Sequence, residues 1–422
     1  MTGGDRTIVV GGGLAGVAAF YELVRRGREA VLIEARSSLA GGASFANGGM
    51  LTPSLPAPWN SPGVGGHLFQ SLFSASASIR LRPHAIPALS RWGLQFIRNA
   101  VPARFRRATQ ANYMLASYSV AQTERVLCED DIRFSLNGGG TLKVFRTPAA
   151  FEAQKRLAAQ LEPLGLRYDV LDREAVAAKE PQLNDVSGNY LDGLYFPDDR
   201  AGDACAFTRA LGERARALGG ALRLDEKILR INVENGRVAG VDTDRGRIEA
   251  RRVVVAAGAA TPRLARRAGV RVPIAPAKGY SLTIDMAGWN ARPATTVVDE
   301  AARFCATPLG DRLRCVAIAE FTGEDERVDP ARTAYLYDHL DRLYPALAAS
   351  LDRDKVLEWA GLRPMSADGV PFIGAAGPEG LWINAGHGHL GWTMAMGSAV
   401  LLADLMTGAA PAIDPRPFEV LR

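Results

Sequence analysis

Within WAGLRPMSADGVPFIG, Trp359 to Gly374, a single arginine stands between glycine and proline in a largely apolar passage. A guanidinium taken out of water without a partner is costly, so Arg363 calls for an anion. A carboxylate gripped by both arms of its fork would answer that need; a protein Asp or Glu is the alternative. Further on, LWINAGHGHLGW, Leu381 to Trp392, is a strand running into a glycine-histidine turn. His387 is a candidate for lining a reaction site, although histidines in such turns commonly hold loops and move no proton. Lys278 and Tyr280 lie two apart in a strand-like run, Ala277 to Ile284, and therefore share a face. Tyr280 completes a candidate catalytic set of Arg363, Tyr280 and His387. No residue has the look of a dedicated base.

A second set of residues fits phosphate chemistry. Gly11, Gly13 and Gly16 follow the apolar run Thr7 to Val10 at the G-x-G-x-x-G spacing and open a helix. That is the dinucleotide-binding fingerprint: one glycine for the tight turn, one for close approach to a pyrophosphate, one for helix packing. The pyrophosphate would sit on the unpaired N–H groups of the helix start. Glu34, 18 residues past Gly16 at the tip of a second apolar strand, suits the hydroxyls of an adenosine ribose. The unit alone does not separate FAD from NAD, and a glycine-rich structural turn is its plainer explanation. The glycine-rich loop from Ala35 to Leu55 could bring Arg36 to adenine or phosphate, Ser44 to a phosphate oxygen, and Gly48 and Gly49 along a ring system. Val253 to Gly258, VVVAAG, points more to FAD than to NAD. The helix Thr393 to Met406 would turn its N-terminus toward the negative charge of a reduced flavin. The expected nucleotide contacts are therefore Gly11, Gly13, Leu14, Ala15 and Gly16; Glu34, Ala35 and Arg36; Ala43, Ser44, Asn47, Gly48, Gly49 and Met50; Ile228, Ala257 and Gly258; and Gly388, Leu390, Gly391, Trp392 and Thr393.

Positioning these groups takes large cores, which 422 residues at 47% hydrophobic can supply. We expect two domains interleaved in sequence: an α/β, Rossmann-type domain from 1–66, 186–272 and 356–422, and an inserted α+β substrate domain on an antiparallel sheet from 67–185 and 273–355. Two runs flanking Asn137 to Gly140, Ile132 to Leu136 and Thr141 to Phe145, read as a hairpin. From His67 to about Gln122 the chain reads as helical, with Phe69, Phe73, Trp92, Phe96, Phe105, Tyr113 and Tyr118 among Arg91, Arg98, Arg104, Arg106 and Arg107. That stretch is either an amphipathic surface for a membrane or partner subunit, or an ordinary helix with one solvated face. Lys+Arg of 50 against Asp+Glu of 45 gives +5 with no long like-charge run, which argues against a nucleic-acid tail. Cys128, Cys205, Cys305 and Cys315 form no C-x-x-C pair, and with five scattered histidines no metal cluster is expected. A reduced cytosolic setting follows, with Cys305 and Cys315 facing each other across a turn at Gly310 or simply buried. The first apolar run is too short for a secretory segment, and Met394 to Met406 is too short to span a bilayer.

GGGLAG with its acid, GASFANGGML, and GLRPMSADGVPFIG followed by NAGHGHLGWTMAMGS occur in order. Together with PAKGYSLTI, Pro276 to Ile284, they resemble the D-amino-acid dehydrogenase group of the D-amino-acid oxidase and glycine oxidase superfamily. The resemblance runs end to end and is weakest from about His67 to Gln182. It implies non-covalent FAD, an antiparallel sheet roofing the flavin, and oxidation of an amino acid to an imine that water turns into a 2-oxo acid and ammonia. Arg363 matches the family's carboxylate-binding arginine. The resemblance also implies a quinone or other carrier as electron acceptor and peripheral association with the inner face of the plasma membrane. The expected mechanism is hydride transfer to flavin N5 from a neutral amine held at Arg363. Alternative readings are a D-hydroxyproline or D-proline dehydrogenase, a glycine- or sarcosine-type amine oxidase in a hetero-oligomer, and a non-catalytic flavin relay subunit.

Overall fold

The computed structural model describes residues 6–66, 79–130, 132, 134, 136–289 and 291–422. Thr7–Val10 carries four consecutive buried side chains and runs parallel between Ala30–Ile33 and Arg252–Val255. A strand with no wet face must be covered on both sides. Ala221–Arg223 extends this six-stranded sheet past Ala30–Ile33, Leu381–Ala385 joins the other side in parallel, and Phe372–Ala375 closes it antiparallel. On one face, Leu14–Arg25, Ala204–Ala217, Gly391–Thr407 and much of Pro102–Glu129 share a core with Val9, Leu32 and Val254. The other face packs Ile8, Val31 and Val253 against a three-stranded antiparallel sheet spanning residues 228–249 and the helix Thr261–Arg267. Leu14–Arg25 gives way at Gly27, whose φ of +73° is the left-handed turn that glycine accepts without strain.

A second sheet of nine strands orders Leu357–Ser366, Ile274–Asp285, Arg312–Phe321, Phe304–Leu309, Thr296–Asp299, Thr141–Phe145, Asp192–Phe196 and Asp169–Asp172, with Ile79–Leu81 alongside Arg312–Phe321. Its neighbours are antiparallel except where Thr141–Phe145 meets Thr296–Asp299 and where Ile79–Leu81 meets Arg312–Phe321. The helix Pro330–Leu343 covers one face with Leu336, Leu340 and Leu343. The opposite face, with Gly279, Val316, Trp359 and Arg363, lines a cavity whose far wall is the Gly11 turn. The expected class, a Rossmann-type α/β unit joined to an antiparallel sheet, matches this architecture.

Several sequence expectations change. Asp192–Phe196, placed in 186–272, and Leu357–Ser366, placed in 356–422, both belong to the large sheet. Pro102–Glu129, placed in 67–185, packs on the nucleotide-domain helices: Gly397 N donates to Ser119 Oγ at 2.9 Å, and a Cβ on Gly397 would lie 2.7 Å from that of Ser119. Small side chains let these two helices touch where bulky ones would hold them apart. The hairpin does not form. Leu136–Asn137 pairs with Arg200–Gly202, while Thr141–Phe145 pairs with Asp192–Phe196, because Asn137 Oδ1 accepts from Gly139 N and Gly140 at φ +70° sends the chain elsewhere. Asp131, Arg133 and Ser135 of that stretch, like Phe69 and Phe73, lie outside the described residues. The basic stretch is helical over Ile86–Asn99 and Pro102–Glu129, but Ile79–Leu81 is a strand. Cys305 and Cys315 do lie on a hairpin with Gly310 at φ +63°, yet Cys305 stands opposite Val316 and Cys315 opposite Ala306. The offset of one residue points the two thiols to opposite faces, and all four cysteines are free. The last helix is longer than its apolar run: Gly388–Thr407 is apolar and long enough to cross a membrane, but most of it is buried in the fold.

Candidate active site

The cavity between the two sheets has a volume of about 1260 Å³, larger than the roughly 300–1,000 Å³ of a site for one small ligand. At its nucleotide end the glycine turn is held by close backbone contact. A Cβ on Gly11, at φ +112°, would stand 2.6 Å from Ala256 O, and one on Gly16 would stand 1.9 Å from Gly11 O. Gly16 therefore packs the turn and does not face the cavity, whereas Gly11, Gly13, Leu14 and Ala15 do. The helix Leu14–Arg25 begins with no side-chain cap at Gly13 and no acid in its first turn. Ser44 Oγ accepts from Leu14 N at 3.0 Å, which holds the hydroxyl at the start of this helix. Glu34 lies at the adjoining strand tip, its carboxylate accepting from Gly12 N at 2.5 Å and Arg36 N at 2.9 Å. Ala35, Ala43, Asn47, Gly48, Gly49, Met50, Ile228, Ala257 and Gly258 line the same wall. Arg36 lines it too, but its guanidinium reaches across to Glu326, with Nη2–Oε2 at 2.8 Å, and ties the nucleotide loop to the connection between Arg312–Phe321 and Pro330–Leu343.

At the C-terminal side, Gly388, Gly391 and Trp392 line the cavity, while Leu390 and Thr393 do not. Leu390 belongs to the helical core, and Thr393 Oγ1 accepts from Thr52 N at 3.0 Å, fixing the loop beneath. Gly391–Thr407 starts with neither a side-chain cap nor a first-turn acid, so a second bare helix start borders the cavity. Asn384 donates to Ala15 O and leaves its Oδ1 buried without a partner among the described residues. His387 is buried with Nε2 beside Ser398 Oγ at 3.1 Å, and burial pushes its pKa down to about 4. It is a neutral ring bonded into the turn. His389 is likewise pushed down to about 4 by burial, with Arg363 adding to the effect.

The roof supplies Arg363. Its Nη1 donates to Ile318 O at 3.0 Å, Trp59 lies under the guanidinium at 5.7 Å, and no carboxylate pairs with it among the described residues. Burial lowers its pKa to about 10, which leaves it charged at neutral pH. Two sequence features make room for it. Gly279 stands opposite Gly361, and a Cβ on Gly279 would fall 2.1 Å from Arg363 Nη1. The register shift between Lys278 and Tyr280 is a β-bulge that leaves Ile318 at φ +71°, and its carbonyl meets the guanidinium. A β-branched residue in that conformation is strained by about 1–3 kcal/mol. Tyr280 borders the cavity, but its ring is turned away from it: the hydroxyl donates to Glu320 at 2.8 Å on the opposite face of the sheet. Burial first, then Glu320, holds that hydroxyl well above the usual tyrosine range. Lys278 faces the same way and pairs with Asp325.

Sequence reading missed Trp59, Trp359, Asn384 and Arg314. Trp59 is stacked between His389, at a ring distance of 5.5 Å, and Arg363. A Cβ on Gly361 would strike the Trp359 indole at 2.1 Å. Arg314 donates to Asn47 O at 2.6 Å and so holds the loop of Asn47, Gly48 and Gly49. A large aromatic among prolines (Trp59) and a charge in an alternating strand (Arg314) were the available signals.

A nucleotide sheet with a glycine turn at its helix start, roofed by an antiparallel sheet carrying a cation with no carboxylate partner among the described residues, defines a two-part dinucleotide-dependent oxidoreductase. The chain belongs to the DAO family of FAD-dependent oxidoreductases, whose family model matches residues 6–405. It is 37% identical over 417 residues to the D-amino acid dehydrogenase of Rhizobium johnstonii, covering 99% of each chain. It is 37% identical over 410 residues to that of Paramagnetospirillum magneticum, covering 97% of this chain and 96% of the other. Among solved structures it superposes on glycine oxidase from Geobacillus kaustophilus with a TM-score of 0.76 at 24% identity, covering 99% and 98% of the two chains. It also superposes on L-proline dehydrogenase from P. horikoshii with a TM-score of 0.77 at 19% identity, covering 99% and 97%. The cofactor is FAD, and the residues present fit it: two helix starts with no acid in the first turn, a glycine wall, a carboxylate at the tip of the second strand and an amide oxygen on Asn384 without a partner among the described residues.

Proposed function

We propose that the protein oxidises D-amino acids to imines, which water converts to 2-oxo acids and ammonia. The observation that carries this reading is the guanidinium of Arg363, facing the cavity with no carboxylate partner among the described residues, and the dehydrogenase relatives supply the substrate class. Arg363 grips the substrate carboxylate by its fork, and with Trp59 and Trp359 it fixes the α-carbon against the nucleotide wall. Trp59 and His389 keep water from the Arg363 side. His387 stays neutral and holds the glycine turn; it moves no proton. FAD, when bound, supplies the acceptor for the two electrons of the C–H bond. The amine arrives neutral or loses its proton on binding, since among the described residues no carboxylate pairs with Arg363 to serve there as a base. The proposed contacts to FAD are the cavity-facing residues of the glycine turn, Glu34, Ser44, the Asn47 loop and the Gly391 helix start.

A quinone or other carrier is the proposed electron acceptor. Peripheral contact with an anionic membrane is proposed for the surface that exposes Ile86, Leu94, Ile97 and Val101 between 42% and 53%, interleaved with the exposed Arg91, Arg98, Arg104, Arg106 and Arg107. Cosedimentation with anionic but not neutral vesicles checks that surface. The reaction is checked by anaerobic mixing of flavin-loaded protein with D-amino acids, L-enantiomers, glycine, sarcosine and hydroxyproline. Bleaching by D-amino acids is expected, and a flavin that stays yellow with all of them would rule the reaction out.

A further inference from the structure

One face of the large sheet carries an unbroken row leading away from Arg363. Trp359 stands opposite Ser281, Ser281 opposite Val316, Val316 opposite Cys305, Cys305 opposite Val298, and Val298 opposite Lys143. Directly paired residues share a face, and all of these but Ser281 line the cavity. Lys143 is 9% exposed, and its ammonium donates to Gln154 Oε1 at 2.8 Å. No carboxylate forms an ion pair with it among the described residues. Burial lowers its pKa to about 8, while Glu300 acts in the opposite sense. A buried lysine whose partner is a neutral amide is costly to keep, and amino-acid binding at Arg363 makes no use of it.

Five strand spacings separate Lys143 from Trp359, about 24 Å along the sheet, a span that no amino acid held at Arg363 bridges. The Lys143 end is therefore out of reach of the amino acid at Arg363. Val298, Val316 and Leu157 offer an occupant there apolar contact, Lys143 offers a donor, and Glu300 and Arg303 at the rim set opposite charges beside it. We propose that the Lys143 end of the cavity binds the electron acceptor, a neutral planar ring with carbonyl oxygens of the quinone class, one carbonyl accepting from the Lys143 ammonium.

This site rests on the amine oxidation proposed above. In that reaction the amino acid loses a hydride from carbon and a proton from nitrogen as its C–N bond becomes double. The quinone gains the same two electrons and two protons, and its two carbonyls become hydroxyls. Lys143 gives a proton to the ring oxygen and regains one from water at the exposed rim formed by Ala301 and Arg303.

Calorimetric titration of the flavin-loaded protein with duroquinone, without amino acid, reads binding in the absence of turnover. Lys143→Met and, at the exposed rim, Ala301→Trp are each expected to weaken duroquinone binding tenfold or more. Flavin content and the rate of anaerobic bleaching by amino acid should remain those of the parent. Unchanged duroquinone affinity in both variants overturns the site, and so does a parent that bleaches but binds no duroquinone. Loss of flavin or slowed bleaching in Lys143→Met also overturns it, by assigning the lysine to the flavin or substrate instead. A parent that fails to bleach with any amino acid defeats the underlying reaction, an outcome separate from these.

Discussion

Arg363 owes its position to the absence of two side chains. Gly279 leaves the volume its guanidinium fills, Gly361 leaves that of the Trp359 indole, and the strained Ile318 supplies the carbonyl that aims it. Gly279→Ala is expected to drive the guanidinium off its site and raise KM for the amino acid about tenfold or more with FAD content unchanged, as steady-state kinetics would read. Arg363→Lys keeps the charge but loses the fork. A charge-assisted pair is worth about 1.5–3 kcal/mol, so KM should rise by roughly 10–100-fold, and kinetics like the parent's would remove the clamp from the account. At the other end, Glu34→Gln turns an acceptor-only carboxylate into an amide where the ribose contact is proposed and should loosen FAD about tenfold in fluorescence titration. The glycine fingerprint, Glu34 and Arg363 were legible from residue type and spacing alone. Tyr280 was not, because a period of two says that Lys278 and Tyr280 share a face but not which face meets the cavity.

At the scale of elements, the decisive contact is the crossing of Pro102–Glu129 over Gly391–Thr407. Gly397 stands against Ser119 so closely that even a methyl group would collide with it. Gly397→Leu should separate the helices and destabilise the protein by about 1–3 kcal/mol, read as a lower Tm, and by tilting the Gly391 helix start it should also weaken FAD binding. Ser119→Gly removes the bond to Gly397 N without overpacking and should cost less. Strands and helices with strong periodicity were foreseen close to their observed limits, including Thr7–Val10, Thr141–Phe145 and Gly391–Thr407. The partners of Thr141–Phe145 were not, since hydrophobic pattern fixes a strand's buried face while pairing is set by segments far away in sequence.

For the molecule as a whole, two buried neutral histidines make stability depend on pH. His387 and His389 have folded pKa values of about 4, below the ordinary value near 6.5. Above 6.5 neither state takes up the proton, so the histidines have no effect there. As pH falls from 6.5 toward 4 the unfolded chain is protonated and the folded one is not, so stability declines, by on the order of 3 kcal/mol per histidine once pH is below both values. The Tm should therefore fall across that window, and His387→Asn should flatten the decline. A variant whose profile matched the parent's would show that His387 does not carry this dependence.

By itself the sequence determined the nucleotide fold, marked Arg363 as a cation in want of an anion, and through its motifs gave the family resemblance that implied FAD. Those depend on local rules: glycine where the backbone must turn or be approached, an acid at a strand tip, a lone cation among apolar neighbours. Only the tertiary structure decided which face of Ile274–Asp285 meets the cavity, that Asp192–Phe196 and Leu357–Ser366 join the large sheet, and that Lys143 lies at the far end of the row from Trp359. Each of these depends on register between strands distant in the chain, and a shift of one residue would turn every side chain in the row to the other face.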